Sequence, residues 1–184
     1  MRILPILSCS KRNVPFPSRA GAALRAVLLL FVFALAAAGG SARAADPWST
    51  KFDPKSNAER DVAAAVSVAK AAGKHVIVDV GGEWCGWCHV MDRFVLGNPD
   101  LRGRIEANYV WVKVNFSKEN LNEAFLARWP KIQGFPHLVV LDGTGKMIAF
   151  QDTSELESGK DYDRQRFAAF VEKYAPKAPG RAAR

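Results

Sequence analysis

Two cysteines separated by two residues, Cys85 and Cys88, lie where a predicted strand is followed by a predicted helix. The preceding segment, residues 75–80, is short, apolar and rich in β-branched side chains, and Gly81-Gly82 interrupts it. Cysteines at this spacing can form and break one disulfide reversibly. The motif therefore predicts a strand–turn–helix unit and indicates redox chemistry.

The first 44 residues have the composition of an export signal. They hold six basic side chains and no acidic one, and they contain the apolar stretch 26–38 and the small-residue sequence Ala42-Arg43-Ala44. About thirteen apolar residues are fewer than the roughly twenty that a membrane-spanning helix needs. We predict a cleavable signal peptide over residues 1–44, cut after Ala44 or Ala45, and a location in the bacterial periplasm or an equivalent compartment.

Without this leader the chain carries little net charge. Removal of the six basic residues lowers the formal net charge from +8 to +2. No run of basic residues with interleaved aromatics remains, so we predict no nucleic-acid partner. Cys9 lies in the leader, which leaves Cys85 and Cys88 as the two cysteines of the mature chain. A disulfide within that chain can therefore join only these two.

The rest of the sequence predicts alternating helices and strands. We expect an extended lead-in over residues 45–55, a domain over residues 56–175 and a flexible tail over residues 176–184. Ser56, followed three residues later by Glu59, predicts the start of a helix that ends near Gly73. The further predicted elements are a strand at 76–80, helices at 85–96 and 99–107, a strand at 109–116, a helix at 120–129, a hairpin of strands at 138–141 and 146–151, and a final helix at 162–174. This order predicts an α/β fold.

Three separated features resemble the thioredoxin superfamily. Residues 78–88 combine a strand acid, a tryptophan and the paired cysteines, Lys113 lies in the next strand, and Gly134-Phe135-Pro136 precedes an apolar strand and a glycine hairpin. The resemblance implies a thioredoxin fold, in which a central mixed β-sheet has helices on both faces. It also implies a thiol:disulfide oxidoreductase with no metal and no cofactor other than the redox-active disulfide Cys85–Cys88.

The two cysteines are predicted to have different roles. If Cys85 opens a helix, unpaired backbone N–H groups and the helix dipole favour its thiolate. We therefore predict Cys85 as the nucleophile and Cys88, one turn further along, as the residue that resolves the mixed disulfide. His89 lies four residues after Cys85 and either faces the sulfur or lies on the surface.

Three further residues are candidates for moving protons or tuning the pair. The resemblance implies that Asp79 is buried behind the cysteines and helps to move a proton to or from Cys88; burial would raise its pKa towards neutrality. An exposed strand aspartate is the alternative. Lys113 either pairs with Asp79 or extends into solvent. His137 replaces the small hydroxyl residue common in the family and is expected near the sulfur pair.

The predicted substrate-binding residues surround the motif. By resemblance, a cis peptide bond at Pro136 lays the loop beside Cys85, where Phe135 offers backbone N–H and C=O groups to an extended peptide. A trans proline at a strand start is the alternative. We expect Trp84 at the rim of the site, and Trp87 to be exposed and to contact substrate.

Two other functions use the same residue types. Cys-x-x-Cys-His is also the attachment signature of c-type haem, with Met147 or His137 as a candidate second axial ligand. A copper or zinc module could use the cysteines with His89 or His137. The strand before the motif and the loop at residues 134–136 favour disulfide exchange over both.

The expected partners follow from disulfide exchange. We predict protein disulfides or dithiols as substrates of a monomeric protein. Reduction potentials in this fold span about −270 to −120 mV, and the types of Gly86 and Trp87 do not give the value. The similarity of Asp79 and residues 83–86 to thioredoxin favours a reductase, which in an exported compartment needs a membrane electron-relay protein.

Overall fold

A four-stranded mixed sheet forms the centre of residues 50–177, which are the residues that the computed structural model describes. The strands are β1 (His75–Gly81), β2 (Tyr109–Asn115), β3 (His137–Leu141) and β4 (Met147–Asp152). The helices are α1 (Ala58–Ala72), α2 (Gly86–Gly97), α3 (Pro99–Asn108), α4 (Glu123–Leu126) and α5 (Arg164–Lys173). Between β4 and α5, a 3₁₀ helix (Thr153–Leu156) leads into a small hairpin of β5 (Glu157–Ser158) and β6 (Asp161–Tyr162).

The predicted signal peptide and residues 178–184 of the predicted tail lie outside the described residues. Within residues 50–177, no helix is long and apolar enough to cross a membrane.

The sheet has the strand order β2-β1-β3-β4. Strand β1 runs parallel to β2 and antiparallel to β3, and β3 runs antiparallel to β4. Because successive side chains of a strand point to opposite faces, the even-numbered residues of β1 pack towards α1, while Ile77 packs with residues of α2 and α5. The predicted mixed sheet with helices on both faces is confirmed.

The first helix is capped one residue later than predicted. Asn57, and not Ser56, is the N-cap residue, and its side chain accepts a hydrogen bond from the backbone N–H of Arg60 at 2.9 Å. The Ser56 hydroxyl instead donates to the carbonyl oxygen of Asp53 at 2.8 Å. The serine is therefore part of the turn that precedes the helix.

The helix predicted at 120–129 is much shorter, because α4 holds only four residues. Asn120 and Ser117 exchange backbone hydrogen bonds at 3.0 and 3.1 Å, and Asn122 adopts a left-handed conformation with φ of 49°. The Asn120 side-chain oxygen accepts a hydrogen bond from the backbone N–H of Asn122 at 3.1 Å, and the Asn122 amide donates to the carbonyl oxygen of Asn115 at 2.7 Å. Such bonds from asparagine side chains to the backbone favour turns over helix. The segment is therefore mainly an ordered loop.

The last helix begins at Arg164, after the predicted start. Asp163 caps it, since its carboxylate accepts hydrogen bonds from two backbone N–H groups of the first turn. Tyr162 belongs to β6 and is buried. The sequence did not predict the β5–β6 hairpin, because strands of two residues carry no readable periodicity.

The N-terminal end of α2 packs closely against the end of β1 at Gly81. A Cβ atom built on Gly81 would lie 2.5 Å from the Sγ of Cys88 and 3.1 Å from the Cζ of Phe52. A side chain at this position would push both neighbours away. Glycine at Gly81 therefore permits the close approach of Cys88 to the sheet.

We predict that Gly81→Ala lowers the free energy of unfolding of the oxidised protein by about 1–3 kcal/mol, because the added methyl overpacks this contact. The matched control is Gly103→Ala in α3, where a Cβ would meet nothing within 4 Å. This control should stabilise the protein by about 0.5–1 kcal/mol, since alanine favours a helix over glycine. Urea unfolding measures both, and unchanged stability of Gly81→Ala would contradict the packing described.

Candidate active site

Cys85 and Cys88 form a disulfide at the N-terminal end of α2, with Cα atoms 5.3 Å apart. Cys85 is the N-cap residue, and its Sγ accepts a hydrogen bond from the backbone N–H of Cys88 at 3.1 Å. After reduction, this N–H group and the positive end of the helix dipole stabilise negative charge on the Cys85 sulfur. Cys85 is only 3% exposed, and Phe52, Trp87 and Phe135 pack around the sulfur pair.

The loop before β3 lies beside this disulfide. The Phe135–Pro136 peptide bond is cis, and Phe135 packs against the cluster that contains both cysteines. The carbonyl oxygen of Pro136, a buried residue, accepts a hydrogen bond from the Thr153 hydroxyl at 2.6 Å. The 3₁₀ helix therefore anchors the cis-proline loop from the side of β4.

Asp79 is completely buried on β1 and shares a face with Gly81. Its pKa is raised to about 7, and burial is the main cause. The charge of Asp92 also raises this pKa, whereas the charge of Lys113 and a hydrogen bond from Trp111 lower it. The Trp111 indole N–H donates to Oδ2 at 3.3 Å, while Oδ1 has no hydrogen-bond partner within residues 50–177. A carboxyl in this state can take up or release a proton near neutral pH.

The side chain of Lys113 is only 4% exposed and forms an ion pair with Asp92, at 2.7 Å from Oδ2. Its ammonium group also donates to the carbonyl oxygen of Thr50 at 2.9 Å and lies 4.9 Å from the centre of the Phe52 ring. Lys113 therefore does not extend into solvent. The carboxylate that accepts its hydrogen bond belongs to Asp92 and not to Asp79. Its charge acts on Asp79 through space, lowering the pKa of that carboxyl.

The two predicted tuning histidines are placed differently. The Nε2 of His89 lies 2.9 Å from the carbonyl oxygen of Glu83. His137 on β3 pairs in register with Val80 on β1. The centre of its ring lies 3.9 Å from that of Phe150, on the face of the sheet that α1 covers. Burial lowers the pKa of His137 and favours its neutral form. The expectation that His137 lies near the sulfur pair is wrong, because the β1–β3 register directs it to the opposite face.

The two tryptophans of the motif have different environments. Trp84 lies at the rim of the site and is 58% exposed. Its indole N–H donates to the carbonyl oxygen of Phe116 at 2.6 Å. The centre of its ring lies 5.5 Å from that of Phe135. Trp87 is half-buried and packs edge-on against Tyr162, at 5.6 Å between ring centres. The unpredicted hairpin thus covers part of a side chain that we expected to be exposed.

Sequence reasoning missed several residues of the site. Asp92 lies four residues after Cys88, one helical turn away, and this spacing was the available signal. Trp111 lies two residues before Lys113 on the same face of β2. Phe52 gave no signal, because it lies in the lead-in. It is nevertheless buried, and its backbone N–H donates to the Glu83 carboxylate at 2.9 Å.

The haem and metal alternatives both require the two cysteines as reduced thiols, whereas the structure shows the oxidised pair, with the two sulfurs bonded to each other. In the described part of the chain, no three or more His, Cys, Asp or Glu side chains are grouped so that they could hold a metal ion.

The thioredoxin-like domain family matches residues 62–157, more than half of the chain. The disulfide bond reductase DsbH of Chlamydia pneumoniae is 30% identical over 77 residues, which cover 38% of this chain and 46% of that protein. The chain therefore spans about half the length of this relative. The chain is also similar to the crystal structure of a disulphide isomerase from Xylella fastidiosa Temecula1, with a TM-score of 0.58 and 24% sequence identity. The match covers 66% of this chain and 94% of the isomerase chain, and it shows that the two share a fold.

The family match contains β1, the cysteine motif and the cis-proline loop. The chain therefore belongs to the thioredoxin-like domain family, and its cysteine motif holds the Cys85–Cys88 disulfide.

Proposed function

We propose that this protein is an exported thiol:disulfide oxidoreductase that acts mainly as a reductase of protein disulfides. The observation that carries the proposal is the disulfide at the N-terminal end of α2, next to the sheet face that buries Asp79. The helix end favours the thiolate of Cys85 over its thiol. The Asp79 carboxyl, which can exchange a proton near neutral pH, lies on the sheet behind the cysteine pair.

The proposed reaction transfers two electrons from the cysteine pair to the substrate. The Cys85 thiolate attacks one sulfur of the substrate disulfide, and the other substrate sulfur leaves as a thiolate that takes up a proton. The Cys88 thiolate then attacks the Cys85 sulfur of the mixed disulfide. This step releases the second substrate thiolate and restores the Cys85–Cys88 disulfide.

Asp79 is proposed to accept the proton that Cys88 must lose before its attack. It lies on the same face of β1 as Gly81, which the Cys88 sulfur approaches closely. A pKa of about 7 suits transfer in both directions near neutral pH. Burial is proposed to set this pKa near neutrality, and the charges of Lys113 and Asp92 adjust it in opposite directions, down and up respectively.

The substrate is proposed to lie along the cis-proline loop. The backbone of Phe135 offers N–H and C=O groups to an extended peptide, and the cis bond before Pro136 fixes this backbone beside the cysteines. Trp84 provides exposed apolar surface at the rim. Trp87, which is half-buried, contributes its accessible edge.

The proposed location and direction rest on the sequence and on the relative. Residues 1–44 are proposed as a cleavable signal peptide for export to the periplasm, ahead of a domain that ends near residue 175. The name of the Chlamydia pneumoniae relative, a disulfide bond reductase, supports the reducing direction. A reductase in that compartment requires a membrane protein that delivers electrons, and we propose such a partner here.

We predict that Cys85→Ser abolishes the reduction of a protein disulfide, because no nucleophile remains at the helix end. Cys88→Ser should instead accumulate a mixed disulfide between Cys85 and the substrate, since the resolving thiol is absent. Mass spectrometry after acid quenching of a single turnover measures both species. The double variant is the control and should trap nothing. Turnover by Cys85→Ser at the wild-type rate would contradict the mechanism.

We predict a pH-dependent stability difference between the wild type and Asp79→Asn. The pKa of Asp79 rises from an ordinary value of about 3.9 to about 7 in the folded protein, so the folded state binds the proton more tightly. The free energy of unfolding of the wild type, relative to the variant, should therefore fall between about pH 4 and pH 7 and then level off. The total change is on the order of 4 kcal/mol.

Urea unfolding of the oxidised proteins between about pH 4 and pH 8 measures this difference. Asp100→Asn is the matched control, because the Asp100 side chain is exposed in the first turn of α3. The free energy of unfolding of the wild type, relative to this control variant, should show no comparable fall across this pH range. A flat profile for Asp79→Asn would show that the carboxyl is ordinary and would contradict its proposed role.

A further inference from the structure

We propose that Tyr162, on the β5–β6 hairpin, is a positioning residue for disulfide exchange. Its ring holds Trp87 and, through it, the first turn of α2, so that the backbone N–H of Cys88 stays directed at the Cys85 sulfur. This inference rests on the proposed function, because the thiolate that this N–H stabilises is the one that attacks the substrate disulfide.

Trp87 connects the cysteine pair to the hydrophobic core. Its side chain packs against the cluster that contains the two cysteines, and also against the core cluster that contains Tyr162. Trp87 is the second residue of α2 and lies between the cysteines in sequence. A contact that fixes its ring therefore also restricts the backbone of the turn that presents the Cys85 sulfur.

Tyr162 contacts α2 at two points. Its ring packs edge-on against Trp87, at 5.6 Å between ring centres, and its ring centre lies 5.7 Å from that of Phe94. Trp87 and Phe94 are seven positions apart and therefore lie on the same side of the helix. Aromatic pairs at these separations add to the stabilisation that burial alone provides. Tyr162 therefore holds the first turn of α2 as well as a later one.

The hairpin that carries Tyr162 is fixed to the domain by contacts of its own. Strands β5 and β6 pair with each other, and the backbone N–H of Asp163 donates to the carbonyl oxygen of Leu156, a buried residue, at 2.7 Å. The Tyr162 ring also packs edge-on against Phe167 of α5, at 5.7 Å between ring centres. Tyr162 is only 4% exposed, so the domain, and not a bound substrate, determines its position.

The contact between Tyr162 and Trp87 matters most after the disulfide is reduced. In the oxidised protein the S–S bond itself joins the two ends of the turn. In the reduced protein this bond is absent, and noncovalent contacts must keep the N–H of Cys88 near the Cys85 sulfur, which it approaches to 3.1 Å in the oxidised form. Because a hydrogen bond to the sulfur favours the thiolate, loss of the Tyr162 ring should destabilise the reduced form.

The test measures the equilibrium between the reduced and oxidised forms in dithiothreitol or glutathione redox buffers. We expect Tyr162→Leu to shift this equilibrium roughly two- to tenfold towards the disulfide, because one aromatic pair contributes a free energy of that size. The reduction potential should then become more negative by about 10–30 mV. Tyr162→Phe keeps the ring contacts and should keep the wild-type potential.

The matched control is Phe170→Leu on α5. Phe170 is 4% exposed, as Tyr162 is, and belongs to the same core cluster, but its ring packs on Phe167 and Tyr174. This variant should lower the free energy of unfolding, as Tyr162→Leu does, and leave the potential at the wild-type value. An equal shift of the potential in both variants would show that general loosening of the core is the cause and would overturn the inference.

A double-mutant cycle tests whether Tyr162 acts through Trp87. Trp87→Leu should by itself make the potential more negative, and adding Tyr162→Leu should shift it no further. Additive shifts would overturn the inference, and so would an unchanged potential in folded Tyr162→Leu. If circular dichroism shows that Tyr162→Leu does not fold, Trp87→Leu alone decides, and an unchanged potential in that variant overturns the inference.

Failure of the proposed function would be a separate result. A wild type that forms and breaks its own disulfide but transfers no electrons to a protein disulfide, such as those of insulin, would overturn the proposed function. Reduction of insulin by the wild type, together with the wild-type potential in folded Tyr162→Leu, would overturn this inference alone.

Discussion

The contact between the Cys88 sulfur and the backbone of β1 at Gly81 determines how the rest of the site is arranged. It brings the first turn of α2 against the end of the central strand, which is possible because position 81 has no side chain. Asp79, two residues earlier, then faces the same helix from a fully buried position. The cysteine pair, its helix dipole and a proton acceptor are thus positioned by one strand–turn–helix unit.

Burial of three charged groups is the second constraint. A lysine and two carboxylates removed from water are destabilising unless they are paired, and here Lys113 pairs with Asp92 while Asp79 keeps its proton up to about pH 7. Lys113 also holds the carbonyl oxygen of Thr50, and Phe52 packs on the sulfur pair. The segment before the first helix is therefore part of the site and helps to exclude water from it.

The parts of the fold set by local patterns could be predicted from the sequence, and the parts set by register or distant packing could not. The short apolar, β-branched run that ends at two glycines predicted β1, and the cysteine spacing after it predicted the start of α2. The partner of Lys113 could not be predicted, because it depends on how α2 lies over β2. The face occupied by His137 depends on the β1–β3 register, and the burial of Phe52 depends on contacts across 31 residues of chain. The partial cover of Trp87 comes from a hairpin too short to show a pattern.

The reduction potential of the Cys85–Cys88 pair tests the central claim most directly. Equilibration of the purified protein with dithiothreitol or glutathione redox buffers, followed by alkylation of free thiols and mass spectrometry, gives this potential. A protein-disulfide reductase is expected near the value of thioredoxin, about −270 mV. A value near the −120 mV of a strong disulfide donor would contradict the reducing role.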